Sequence, residues 1–416
     1  MSKTNRLLST LLSFILLSLI THPISGQTKN DCPPGTVKEI LSLTNTDYSD
    51  LAFLKPLLKD KKVVLLGESS HGIGDYYALK ARLIRYLHQE CGFRVLSLES
   101  GIADIFLEYQ LTDSLSPVRL RNNTVYGNFQ CKEILPLFEY IKETRSSNSP
   151  LIYSGFDSQN FSASLRLLQK IMHDIKGPTG DSVLKNLNLY YRIPSLLWQE
   201  DRSPLFALAD SIKSAAAYTL ECINKNQEEI IKKYKISPLA FKFLQRSLSN
   251  HIESVSLNWR TEDPVSKRDS LMAANLFWLM DEIYPDQKFI IWGHNGHIDK
   301  KSPEGNPYKW MGHFVQQRFG KAAFHIGLFA KEGETFEWWT NTNKSFHHNK
   351  TDDLENLAAI HPVSFIQFNP KSKNCSWAGK SLYGFEVESG GRLNFVPAER
   401  FDAIINFRKV KLPVYE

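Results

Sequence analysis

Apolar and polar positions along this chain fall into blocks of changing period, and the blocks predict its elements. Lys62 to Leu66, Arg94 to Leu98, Leu151 to Phe156 and Lys288 to Trp292 are short, largely apolar runs with no polar face. That is the pattern of strands buried on both sides in a parallel sheet. From Ile73 to Cys91, Tyr76, Leu79, Leu83, Leu87 and Cys91 recur at three- and four-residue steps with basic residues between. The spacing predicts an amphipathic helix that stops at Gly92. Helical spacing also covers Asp50 to Asp60 and Lys132 to Thr144, and a helix follows from Ile102. Strands alternating with helices in this way predict βαβ units.

Between Asp181 and Trp259 the alternation stops. Leu205 to Ile223, Gln227 to Lys235 and Pro238 to Leu257 read as helices, with no strand among them. A helix from Val265 to Ile283 then leads back to the strand ending at Trp292. Helix Lys309 to Phe319 and strand Ala322 to Phe329 continue the alternation, and short strands at Thr335 to Trp339 and Val363 to Phe368 are expected at a sheet edge. The predicted fold is α/β, a mostly parallel central sheet flanked by helices. Residues 27–180 and 260–416 form its core, and a helical insertion, 181–259, serves as a lid or substrate subdomain.

The amino terminus adds a location. Lys3 and Arg6 precede an apolar stretch from Leu7 to Ile20, and small residues follow at Ser25 and Gly26. Residues 1–26 read as a secretory signal whose apolar part is short for a membrane span, with an uncleaved N-terminal anchor as the alternative. The expectation is an exported protein, periplasmic or extracellular, with no membrane span once the signal is removed. Losing Lys3 and Arg6 lowers the formal charge from +6 to +4. Spread over the rest of the chain, so small an excess argues against a nucleic-acid partner. The five cysteines, Cys32, Cys91, Cys131, Cys222 and Cys375, form no CxxC pair, and their odd number leaves at least one thiol unpaired within the chain. Spacing does not say which ones join, and it is silent on oligomeric state.

Candidate chemistry gathers at the strand ends. The first strand is followed by Gly67-Glu68-Ser69-Ser70-His71-Gly72, the second ends at Glu99, the third at Asp157, and the fourth at Gly293-His294-Asn295-Gly296-His297. Ligands of open α/β sheets sit beyond the carboxyl ends of parallel strands, so neighbouring strands would bring these groups to one rim. An imidazole can deprotonate water, a carboxylate can orient it, and a second acid or histidine can protonate a leaving group. Arg268 and Asn275, seven apart on one helix face, offer a cation and an amide to the same region. No G-x-S-x-G elbow, Walker A loop or dinucleotide fingerprint follows a strand. Glu68, Glu99, His71, His294 and His297 are also competent metal ligands, so a divalent metal is the alternative to a cofactor-free site. A non-catalytic protein holding a small, haem-like ligand is a further alternative.

With these residues in hand, the chain resembles the erythromycin esterase family. The matching stretches are Gly67 to Gly72, Leu98-Glu99-Ser100, Arg268-Asp269 with Met272 and Asn275, Trp292 to His297, and Met311-Gly312, in the family's order. The resemblance implies an α/β core with an added helical part and hydrolysis of an ester, typically a macrolide lactone. It implies His71 as general base on water, with no covalent intermediate. Glu68 and Glu99 would position and polarise that base, and His294, His297 and Arg268 would line the cleft. Ser70 replaces the family's threonine before the histidine, and Lys80 stands where the family tends to have a basic residue. Ser70, Lys80, Asp157, Asn295 and Asn275 complete the set as candidate substrate-binding residues, and the expected partner is a small-molecule ester or lactone.

Overall fold

Four consecutive apolar residues make sense for Val63–Leu66 because this strand has a neighbour on each edge and a helical layer on each face. In the computed structural model the described residues are 32–415 except 112–114, 160–162, 190–200, 202, 257–263, 302–307, 370–373 and 387–390; the signal segment 1–26 lies outside them. The main sheet runs in the order β4 (Ile152–Asp157), β3 (Val95–Gly101), β5 (Phe289–Trp292), β2 (Val63–Leu66), β6 (Ala323–Glu337), β11 (Ala403–Val410), β8 (Val363–Gln367) and β1 (Val37–Glu39). The first six are parallel to one another; β8 runs antiparallel to β11, and β1, antiparallel to β8, points the same way as the six. β7 (Thr342–His347) folds back on β6, and β9 (Leu382–Glu386) with β10 (Gly391–Phe395) forms a separate hairpin.

Alternate residues of the inner strands enter two different cores. Val63 and Leu65 of β2 and Phe289 and Ile291 of β5 pack on one face with Phe106, Phe156 and the helices from Ala163 onward. Val64, Leu66, Ile290 and Trp292 pack on the other face with the helix Gly74–Cys91 and the helix Leu135–Thr144. In the helix Gly74–Cys91 the residues Tyr76, Leu79, Leu83 and Leu87 are buried, and the next residue is Gly92, as the spacing requires.

No strand interrupts the described residues between Ala163 and Val255. That stretch consists of helices Ala163–Lys176, Pro178–Asn188, Ser203–Lys225, Gln227–Tyr234 and Pro238–Val255, so helix begins before residue 181. Its apolar side continues the core of the sheet: Phe243 stacks on Phe106 at 3.9 Å between centroids. Among the described residues, no helix is long and apolar enough to cross a membrane.

One expectation needs correction, and one strand went unforeseen. Thr335 to Trp339 is not a separate edge strand; Thr335–Glu337 is the far part of β6, which runs on from Ala323 past the polar Lys331-Glu332-Gly333-Glu334. Gly333, at φ 144°, lies against the Val410 backbone and lets the strand continue there. β11 escaped the pattern because Asn406 breaks its apolar run, yet that side chain is fully buried with its amide donating to Glu355 O. Of the five cysteines, Cys32 and Cys375 form a disulfide that ties the residues before β1 to those after β8, and Cys91, Cys131 and Cys222 are free thiols.

Candidate active site

The carboxyl ends of four adjacent strands, β2, β5, β3 and β4, carry the groups singled out in the sequence, and the sheet order brings them to one rim. They fall into two hydrogen-bonded clusters with His294 between them.

The first cluster follows β2. His71 Nδ1 lies 2.7 Å from Glu68 Oε1, while Glu68 Oε2 accepts from Lys80 Nζ at 2.7 Å and from Trp292 Nε1 at 3.2 Å. A carboxylate at Nδ1 fixes the proton there and leaves Nε2 of the neutral ring as the basic nitrogen. Lys80 is inaccessible to solvent, and its ammonium sits 4.6 Å from the Trp292 ring centroid. Burial pulls its pKa down to about 8 against the opposing pull of Glu68 and Glu99. The His71 side chain keeps 17% of its surface exposed, the opening through which a reactant could reach it.

The second cluster joins β3, β4 and the helix Pro264–Trp278. Arg268 donates to both oxygens of Asp157, from Nε at 3.2 Å and from Nη2 at 2.6 Å, and Nη2 also reaches Glu99 Oε1 at 3.2 Å. His297 is gripped at both nitrogens: Nδ1 faces Asp269 at 2.9 and 3.0 Å, and Nε2 lies 3.2 Å from Glu99 Oε1. Burial alone would lower the pKa of His297, but Asp269 and Glu99 raise it to about 10, so this imidazole is a fixed cation at neutral pH. Nη1 of Arg268 comes within 3.2 Å of the same Nε2, a contact between two donors that the Glu99 carboxylate offsets. Burial would raise Glu99, and His297, His71 and Arg268 together hold it well below the usual carboxylate range.

His294 links the two. Its backbone N–H donates to Glu99 Oε2 at 2.9 Å, and its Nδ1 accepts from Gly296 N–H at 3.1 Å, capping the helical turn Asn295–Ile298. By that partner, the ring proton of the neutral form belongs on Nε2. The rings continue as a row: His71 to His294 is 5.1 Å between centroids, His294 to His297 6.5 Å, and His297 to Trp310 6.1 Å.

All six residues expected to be catalytic are therefore brought together. The five expected to touch substrate are placed differently, since each is fully buried with its polar groups engaged. Ser70 Oγ lies 2.6 Å from Thr335 Oγ1 and accepts from Gly72 N–H, bracing the loop of His71. Asn295 clasps both backbone groups of Leu328, and its N–H donates to Glu68 O. Asn275 donates to Phe156 O and accepts from Arg246, which fixes the end of β4 to two helices. Lys80 and Asp157 answer Glu68 and Arg268. In this conformation the five hold up the walls of the cleft.

Sequence reasoning quoted Asp269 without giving it a role, and missed Tyr126 and Trp310. Asp269 holds His297 and also caps the helix Met311–Phe319 through Met311 N–H at 2.8 Å. Tyr126 donates to Asp157 Oδ2 at 3.0 Å from a segment with no motif of its own. The adjacency of Asp269 to Arg268 at a helix start was the one available signal, because the partners lie far along the chain.

The sequence model described as Erythromycin esterase matches residues 88–410, a span that holds Glu99, Arg268, His294 and His297 and starts after Glu68, His71 and Lys80. The Bacillus subtilis protein YbfO, provisionally named a hydrolase, is 28% identical over 402 residues, covering 88% of this chain and 87% of its own. An erythromycin esterase type II from Escherichia coli is 20% identical over 331 residues, 71% of this chain and 75% of that protein. In fold, a crystal structure from Bacillus cereus is similar at a TM-score of 0.72 and 18% identity, covering 91% of this chain and 96% of its own. A mutant erythromycin esterase in its open conformation gives 0.61 at 19% identity, over 90% and 98%. On the extent of the sequence match, this chain belongs to the erythromycin esterase family.

Proposed function

We propose that this chain is an exported hydrolase that cleaves a carboxylic ester or lactone with water activated by His71, without a covalent intermediate. The observation that carries the reading is the 2.7 Å contact from Glu68 Oε1 to His71 Nδ1, which leaves Nε2 as the basic nitrogen of a partly exposed ring. Nε2 takes a proton from water, and the resulting hydroxide adds to the carbonyl carbon. Collapse of the tetrahedral adduct breaks the C–O bond, and the imidazolium of His71 returns its proton to the leaving alkoxide. The ring N–H of His294, next to His71, is the donor placed to polarise the reacting carbonyl.

Charge balance supports this assignment. The carboxylates Glu68, Glu99, Asp157 and Asp269 face the cations Lys80, Arg268 and His297. Formally that leaves one negative charge, which an imidazolium at His71 neutralises. The carboxylates that would receive a divalent ion already meet cations, which supports hydrolysis without a metal, and activity retained through chelation tests that.

Two finer points belong to the same proposal. The names of the Escherichia coli relatives support a macrolide lactone as one substrate to try first. The signal-like start and the Cys32–Cys375 disulfide support export, because disulfides persist in oxidising compartments. The deciding experiment assays wild type and His71→Ala against lactones and simple esters; a variant that keeps most of a measurable wild-type rate overturns the base assignment.

A further inference from the structure

The hairpin between β6 and β7 carries two tryptophans at its turn, Trp338 at 39% and Trp339 at 57% exposure. Val414, 49% exposed, adjoins them through Tyr415, whose ring is 5.2 Å from that of Trp338. Most of the exposed large apolar side chains of the described residues are thus gathered in one place. Such patches on a folded chain mark binding surfaces more often than chance exposure.

The patch is continuous with the cleft. Phe336 N–H donates to Gly72 O at 3.0 Å, so the strand leading to Trp338 crosses directly over the loop of His71. Gly72 has to be glycine there, because a Cβ would overlap the Phe336 backbone. Trp338 then leans on the strap Tyr126–Phe129, its ring 3.5 Å from where Gly127 would carry a Cβ. The same strap puts the Phe129 ring 5.4 Å from His71 and the Tyr126 hydroxyl on Asp157. One short strap thus meets the candidate base through the buried Phe129 and the exposed Trp338 through Gly127, with Trp339 next in the turn.

We propose that Trp338 and Trp339 form a platform at the cleft rim that binds the apolar face of a bulky ester or lactone while its carbonyl reaches His71. The proposal rests on the hydrolase reading above and names the size and polarity of its substrate. Indoles offer large, stiff apolar faces that suit a C–H-rich ring system. Contacts this far from the reacting carbonyl act on binding, so their loss raises KM for large substrates and spares small ones.

The test compares wild type with Trp339→Ala and Trp338→Ala/Trp339→Ala, using erythromycin as the bulky lactone and phenyl acetate as the small ester. Trp339→Ala leaves the packing of Trp338 on Tyr415 in place, so it reports even if the double variant folds poorly. The expected result is a KM for erythromycin raised roughly tenfold, with kcat/KM for phenyl acetate within about twofold of wild type. Equal loss on both substrates, or no loss on either, overturns the platform. So does a double variant that turns a dimer into a monomer while both rates stay, since the patch is then an interface between copies. Binding of erythromycin to His71→Ala, followed by tryptophan fluorescence with and without the indole substitutions, separates the two proposals. If wild type hydrolyses neither substrate but binding depends on the indoles, the hydrolase reading fails and the platform stands; no erythromycin binding by wild type overturns the platform.

Discussion

His71 and His297 sit in one cleft, each beyond the end of a parallel strand and each against carboxylate, yet they are held differently. His71 hydrogen-bonds Glu68, which Lys80 already holds from its other side, and lies within electrostatic reach of Glu99. His297 is held between two, Asp269 and Glu99, and its pKa is raised to about 10. In the proposed reaction one ring takes up and returns a proton, while the other, its pKa raised to about 10, carries a charge that holds its neighbours in place. What separates them is direct contact: both nitrogens of His297 lie against carboxylate, whereas the Glu68 carboxylate at His71 Nδ1 is shared with Lys80. Residue type and the number of residues beyond the strand end are the same.

The sharpest way to break this comparison is to remove the mobile proton. His71→Ala is expected to lower kcat/KM by roughly a hundred- to ten-thousand-fold, the range for a general base, with a melting temperature near that of wild type. A comparable activity loss from His297→Gln with none from His71→Ala would reverse the two roles. Next comes Lys80→Met, which leaves Glu68 buried without its cation. Removing one partner of a buried pair costs about 3–5 kcal/mol, to be read as a drop in the denaturant midpoint. Adding Glu68→Gln to that variant is expected to recover stability and not activity.

A pH series sharpens the contrast from the His297 side. Its folded pKa is raised, so its contribution to stability is complete below the unfolded value near 6.5 and is lost as pH climbs to about 10. Wild type and His297→Gln should therefore converge in melting temperature across that interval. Lys80, lowered to about 8, pushes the opposite way between about 8 and 10.5, but it is present in both proteins and cancels in the difference. A gap that stays constant over the interval would show that His297 is not a fixed charge. The smallest expected effect is Ser70→Ala, which removes the contact to Thr335 and the brace on Gly72 N–H. A loss of about 1–3 kcal/mol in stability is expected, with activity within tenfold because Glu68 still holds the ring.

Much of this was legible in the chain. Residues of the inner strands are apolar on both faces because a helical layer covers each, so the runs ending at Leu66, Leu98, Phe156 and Trp292 stood out. Loops after such strands are bound to share a rim, so the convergence of Glu68, Glu99, Asp157 and His294 followed. Side-chain direction did not follow. Asn295, Asn275 and Ser70 are polar residues in or beside motifs, and nothing local tells whether an amide faces a cleft or a carbonyl of Leu328. The Asp269–His297 pair and the Tyr126 bond to Asp157 were hidden for another reason: each joins segments that only the finished sheet brings near. β11 was missed because one buried asparagine interrupts its apolar run.

The Cys32–Cys375 bond closes a circuit of 343 residues around almost the entire protein. A polypeptide emerging amino end first holds its opening strand in waiting, since β1 has a place only beside β8 and that clasp is fastened only by a cysteine close to the tail. Truncation shortly after β8 would thus remove the clasp on β1 together with β11, the strand on which β8 itself lies.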